Sequence, residues 1–302
     1  MKTQLTRDIL DEIFRFTNKP RFVLYFKMLL TRQTMRVLYK KLSINKQAEK
    51  GNLQTIKYLH FIGVVCTTNA MDSASRNGHL EVVKYLHETV GASCTTDAMD
   101  WASKNGCFEV VKYLHKTIGV KYGKNTINYA SERGFLEVVK YLHETVGVKC
   151  TKNTINRASE NGHLEVVKYL HETVGAKCTR YPMSLASHNG FLKVVKYLHE
   201  TVGAGCTTQA IDWASANGDL EIVKYLHETV GAKCTTDAID LASNYGRLDV
   251  VKYLHETVSA KCTTHAMYLA SQNSHFEVVK YLHETIGVKC TTQVIVPTRN
   301  YW

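Results

Sequence analysis

Two apolar patterns alternate along the chain. In LEVVKYLHETVG, Leu80, Val83, Leu86 and Val90 fall on one side of a helical wheel, with Val82 adjoining. Glu81, Lys84 and Glu88 fall on the other side at i, i+3 and i+7, the layout of an amphipathic helix with a wet outer face. A second segment, TTDAMDWASK, carries Ala98, Met99 and Ala102 at helical spacing. Glycines punctuate both. One set breaks most units in their middle, at Gly78, Gly106, Gly134, Gly162, Gly190, Gly218 and Gly246. Another closes most units, at Gly91, Gly119, Gly147, Gly175, Gly203, Gly231 and Gly287. Glycine is the usual helix C-terminal stop, so each unit is predicted as two short helices between two stops. Asn69, Asp97, Asn125, Asn153 and Asp237 share one column and are predicted to N-cap the first helix, which then runs to about Ser103 or Lys104. Pro182 in one copy suits a first helical turn.

The unit recurs with a fixed period. KYLH begins at Lys57, Lys84, Lys112, Lys140, Lys168, Lys196, Lys224, Lys252 and Lys280, a first step of 27 residues followed by steps of 28. NGHLEVVKYLHETVGA occurs unchanged at Asn77–Ala92 and Asn161–Ala176. One helix pair cannot bury its own apolar stripe, whereas stacked copies bury a continuous core. The predicted fold class is an all-α solenoid of stacked helix-turn-helix repeats.

The residues also resemble a family. YPMSLAS at Tyr181–Ser187 and NGHLEVVKYLHE are similar to the TPLHLAA and GHLEVVKLLL segments of ankyrin repeats. The resemblance covers about residues 46–293. The usual ankyrin unit has about 33 residues and a β-hairpin finger. Here about six residues link the helix pairs, for example Gly175–Arg180, so the finger is expected to be shortened or absent. This short form is similar to ankyrin arrays abundant in amoebae, oomycetes and giant viruses. The expected organisation is a helical N-terminal segment at 1–45, a partial first repeat at 46–65, eight 28-residue repeats at 66–289 and a degenerate C-terminal cap at 290–302. In that cap Pro297 interrupts the pattern, while Val294, Ile295, Tyr301 and Trp302 are expected to cover the last repeat.

Stacking fixes the uniform columns, so variable columns are candidates for recognition. Three of them lie at i, i+3 and i+7 on the first helix, hence on one face. They hold Asp97, Asp100 and Lys104 in one repeat, then Glu132, Glu160, Tyr181 and His188, Gln209 and Asp212, and His265 and Tyr268 in others. A neighbouring column holds Trp101, Tyr129, Arg157 and Trp213. The resemblance implies that this helix lines a concave surface where a protein partner docks. Trp, Tyr and Arg are the commonest binding hot spots. Leu fills the Trp column elsewhere, so packing between repeats is the other reading of Trp101 and Trp213.

LTRDILDEIFRF near the N-terminus places Leu5, Ile9, Leu10, Ile13 and Phe14 in a pattern that resembles an F-box, with Pro20 following. Thr6 stands where that family prefers Pro, and no Trp closes the motif. The resemblance implies that these five residues bind a Skp-type adaptor of a cullin ubiquitin ligase. An N-terminal cap on the first repeat is the other reading. A bare scaffold, or a viral or parasite protein acting on host proteins, is the rival within the binding class.

Charge refines this picture. The net charge is +11, and residues 1–50, with 12 Lys+Arg against 4 Asp+Glu, hold +8 of it. No aromatic–basic interleaving accompanies the excess, which argues against nucleic acid. Eight of the nine cysteines share one column, from Cys66 to Cys290. Stacked repeats lie about 8–10 Å apart, too far for a disulfide, which needs Cα atoms within about 7 Å. No CxxC suits zinc, and the KYLH histidines recur once per repeat without converging. An enzyme or metal protein built on these columns is the rival class. The expectations are therefore no catalysis, no cofactor, a protein partner and a monomer. No apolar run approaches the ~18–20 residues of a membrane span, and Asp8, Asp11 and Glu12 argue against a signal peptide. A soluble intracellular protein, cytoplasmic or nuclear, or in a host cytoplasm if viral, is expected.

Overall fold

A computed structural model describes residues 43–61 and 63–288. Leu5, Ile9, Leu10, Ile13, Phe14 and the segment 290–302 lie outside the described residues. The described residues form an all-α repeat solenoid of short helix pairs, without strands. The finger is absent from these linkers.

Two compact units divide the chain, one running to Ala130 and including Lys140–Gly147, the other comprising Ser131–Val139 and Val148 onward. In the first unit the leading helices are Ile44–Glu49, Thr68–Arg76 and Thr96–Lys104, followed respectively by Leu53–Phe61, Leu80–Glu88 and Phe108–Tyr113. In the second unit Lys152–Glu160, Tyr181–His188, Thr208–Asn217, Thr236–Asn244 and Thr264–Gln272 lead. Leu164–Glu172, Leu192–Glu200, Leu220–Lys224, Leu248–Glu256 and Phe276–Glu284 follow them. Helices Thr126–Glu132 and Leu136–Glu144 contribute residues to both units. Two second helices widen into a π turn, at Leu114–Ile118 and Tyr225–Thr229. In each unit a leading helix packs far more extensively on neighbouring leading helices than second helices do on one another.

The core is the uniform set of columns. Ala98, Met99 and Ala102 are completely buried, as are Val83 and Leu86. Each large side chain sealed this way contributes about 1.5–3 kcal/mol of transfer free energy. Leu80 and Val90 are only half-buried, at the margin of the stripe. Glu81 pairs with Lys84 at 2.9 Å across one helical turn. Both are exposed enough that the pair contributes only a few tenths of a kcal/mol.

Four of the five expected N-caps are not the capping residues, whereas Asn125 does stand immediately before Thr126–Glu132. Threonine caps the helix two residues earlier, as Thr95 does for Thr96–Lys104, with its hydroxyl accepting from the Asp97 amide at 3.1 Å. Thr235 and Thr263 cap in the same way, each at 3.1 Å. Asp97, Asn69, Asn153 and Asp237 therefore stand inside the first turn. Pro182 is the second residue of Tyr181–His188, where its missing N–H costs no helical bond.

Leading helices stop at a glycine in a Schellman motif, Thr264–Gln272 excepted. At Gly78, φ is 74°, the His79 amide donates to Ala74 O at 2.9 Å and the Gly78 amide to Ser75 O at 3.2 Å. Ser274 adopts the same left-handed backbone without glycine, at φ 60°.

Candidate partner-binding face

What the leading helices expose is set by what stacking consumes, and three ladders of side-chain bonds consume much of it. On the second helices, KYLH histidines reach the tyrosine of the next repeat. Nδ1 lies 2.9 to 3.2 Å from the hydroxyl in His60–Tyr85, His87–Tyr113, His115–Tyr141, His171–Tyr197, His199–Tyr225, His227–Tyr253 and His255–Tyr281. Where a glutamate follows that histidine, the tyrosine hydroxyl donates to it in turn, as Tyr113 does to Glu88 at 2.7 Å and Tyr225 to Glu200 at 2.8 Å. A phenol has one proton to give, so where it goes to the glutamate Nδ1 must be the donor to the phenol oxygen. Burial, reinforced by the glutamate, pushes Tyr113, Tyr225, Tyr253 and Tyr281 up to about 12. The histidine column is thus an inter-repeat device. Among the described residues no group of three or more His, Cys, Asp or Glu is arranged to hold a metal.

A second ladder removes residues from the predicted stripe. Asp212 is 5% exposed, and its carboxylate accepts from the Thr235 amide at 3.0 Å and hydroxyl at 2.9 Å. Asp100 accepts from the Gly123 amide at 3.0 Å and from the Thr126 hydroxyl. Asp72, Asp240 and Ser184 make the equivalent bonds to Thr95, Thr263 and Thr207. Burial raises the Asp72, Asp212 and Asp240 carboxyls above their ordinary range, while the threonine bonds oppose it. Asp100 and Asp212 thus serve the stack, each fastening the start of the next leading helix.

The third ladder closes the Schellman turns. His79 Nε2 lies 3.1 Å from Glu49 O, His163 Nε2 3.0 Å from Glu132 O, and His275 Nε2 3.0 Å from Asn244 O. These side chains lie over the glycine of the preceding repeat. The sequence alone assigns this column no role, because its members (His79, Cys107, Phe135, His163, Phe191, Asp219, Arg247 and His275) share no chemistry.

What remains exposed is narrower than the predicted stripe. Asp97, Arg157, Tyr181, His188, Gln209 and His265 are exposed, while Trp101, Lys104, Tyr129, Glu132, Glu160, Trp213 and Tyr268 are half-exposed. In the first unit Trp101 and Tyr129 stack with ring centroids 6.5 Å apart and planes 3° from parallel. In the second, His188 meets Trp213 edge-on at 5.4 Å, and His265 stacks on Tyr268 at 6.0 Å. Arg157 lies 3.7 Å from Glu132 and 3.5 Å from Glu160. Trp101 and Trp213 therefore pack against neighbouring side chains and keep part of their surface open.

The described cysteines are free and half-buried. Burial pushes Cys94, Cys150, Cys206 and Cys262 up to about 11, which keeps them as unreactive thiols at neutral pH. Among the described residues no helix is long and apolar enough to cross a membrane.

The model of one family, described as ankyrin repeats in three copies, matches residues 44–124, 71–154, 99–181, 155–238 and 211–294. No curated protein matches the chain.

Proposed function

The chain belongs to the ankyrin-repeat family, whose arrays are protein–protein interaction modules and generally non-catalytic scaffolds, and on that premise we propose that it binds its partner through the exposed face of its leading helices. One observation carries this reading. The side chains that vary between repeats and stay exposed, such as Arg157, Tyr181, His188 and His265, lie on those helices, whereas the second helices repeat LEVVKYLHE almost unchanged. A surface that stacking does not dictate, furnished with Tyr, Trp, His and Arg, suits recognition. Chemical cross-linking in a eukaryotic lysate tests it. The expected result is a defined prey captured by the full chain and lost on combined substitution of Arg157, Tyr181, His188 and Trp213 by Ala. Prey loss on substituting Lys196 and Lys252 of the second helices instead overturns the assignment.

A finer role rests on Leu5, Ile9, Leu10, Ile13 and Phe14. Their F-box-like spacing supports a substrate receptor that holds a target on the repeats and an adaptor of a cullin-type ubiquitin ligase at its N-terminus. Co-precipitation of adaptor and cullin with the full chain, abolished by Ile9→Asp with Ile13→Asp, is the expected result. Their absence from the wild-type precipitate leaves a scaffold without ligase role.

A further inference from the structure

The cations of the first unit are distributed unlike those of the second. Arg76 and Lys104 are the last residues of Thr68–Arg76 and Thr96–Lys104. The Arg76 guanidinium lies 4.6 Å from the Trp101 ring centre, and the Lys104 ammonium lies 5.1 Å from both Trp101 and Tyr129. Among the described residues neither cation has a carboxylate within ion-pair distance, whereas Arg157 has Glu132 and Glu160. The nearby acids are committed or distant. Asp72 and Asp100 hold Thr95, Gly123 and Thr126. Asp97 is exposed but seven residues before Lys104, about 10 Å along the helix at 1.5 Å per residue. The Arg76 carbonyl accepts from Asn105 at 2.7 Å, which anchors this corner to the next repeat.

We propose that Arg76, Trp101, Lys104 and Tyr129 form a docking site for an acidic segment of the protein partner, a reading that rests on the protein-binding function above. Two features select carboxylates. A guanidinium lying over an aromatic ring keeps its N–H edges free for bidentate pairing with a carboxylate. Nucleobases need an open aromatic face on which to stack. Here the rings are engaged with each other and with the two cations. Acidic peptide side chains therefore fit the site, and single-stranded nucleic acid does not.

The test uses the full chain and a short fluorescent poly-glutamate peptide, read by anisotropy and by tryptophan emission. The expected result is salt-sensitive binding that R76Q with K104Q weakens at least about tenfold. The charge-matched control, K196Q with K252Q, changes it less than about twofold, since those lysines lie over the second-helix rings of Tyr225 and Tyr281. Trp101→Leu, a residue this column tolerates at Leu241 and Leu269, removes the emission change. Thermal unfolding of each variant shows that the array is intact. No binding at low salt, equal weakening by both double variants, or tighter binding of oligothymidylate at the same residues each overturns the proposal. Prey captured through Arg157, Tyr181 and Trp213 while poly-glutamate fails leaves the broader function standing. Loss of that prey-binding with poly-glutamate still bound has the opposite meaning.

Discussion

Gly246 and Gly231 have nearly the same backbone, with φ at 68° and 69°, but different surroundings. A Cβ on Gly231 meets nothing within 4 Å, whereas one on Gly246 lands 2.5 Å from His275 Nδ1. Gly231→Ala therefore carries only the left-handed backbone penalty, about 1 kcal/mol. Gly246→Ala carries that penalty and must also displace the His275 ring. The displaced ring gives up its 3.0 Å bond to Asn244 O, which adds about 1 kcal/mol, for a total of about 2 kcal/mol. Urea unfolding of the full chain followed by circular dichroism measures both, with the slope checked because long arrays need not unfold in one step. A cycle with His275→Ala isolates the steric part. Once the ring is gone, Gly246→Ala is expected to cost no more than Gly231→Ala. Equal costs for the two glycine variants in the wild-type background refute the argument that the third ladder rests on the mid-unit glycines.

The same reasoning runs in reverse at Ser274 and Ser259, which sit at φ 60° and 55°. Ser274→Gly and Ser259→Gly are each expected to raise the unfolding free energy by about 1 kcal/mol, read as a higher urea midpoint. Tyr225→Phe removes the bonds to His199 and Glu200 and is expected to cost about 1–2 kcal/mol, against almost nothing for exposed Tyr245→Phe. Because folding raises the Tyr225 phenol from 10.0 to about 12, its stabilisation is complete below pH 10 and lost as pH climbs from 10 to 12. Phenolate absorbance of the ladder tyrosines should rise together with unfolding in that window. Titration near pH 10 with the fold intact contradicts it. The Ser103 hydroxyl is buried without a partner among the described residues, whereas Ser187 donates to Met183 O at 2.8 Å. Ser103→Ala is expected to stabilise by about 1 kcal/mol and Ser187→Ala to destabilise by a similar amount, both read from thermal melts.

The helix pairs were legible because Val83, Leu86, Ala98 and Met99 repeat at spacings only a helix explains, and the glycines mark where each helix must stop. Four of the caps were misplaced because Thr95 and Asp97 are both good N-cap residues two positions apart, and composition does not say which hydroxyl or carboxylate meets the first free amide. Asp100 and Asp212 looked like recognition residues because their column varies. Asp212 and Ser184 bond a threonine 23 residues later, and Asp100 bonds Gly123 and Thr126, 23 and 26 residues later, and a one-dimensional pattern does not display those partners. The His–Tyr–Glu relay was hidden for the opposite reason. Its His and Tyr never vary and its Glu gives way only at Phe61 and Lys116, so the sequence left these positions as helix-surface or inter-repeat side chains without showing the partner.

Every ladder bond joins residues 23 to 31 positions apart, close to one period of the sequence. Removing residues 206–233, one whole period, would bring Tyr253 opposite His199 and Glu200 in place of Tyr225, and Thr235 opposite Ser184 in place of Thr207. Each broken bond is remade with a residue of the same kind. A deletion that is not a whole number of periods leaves phenols facing the wrong side chains. The ladders thus act as a proofreading rule on gene rearrangement: recombination that adds or drops a whole period yields a chain that still folds, and recombination out of phase does not. Low contact order reinforces this, since no segment waits for a distant one before it can close.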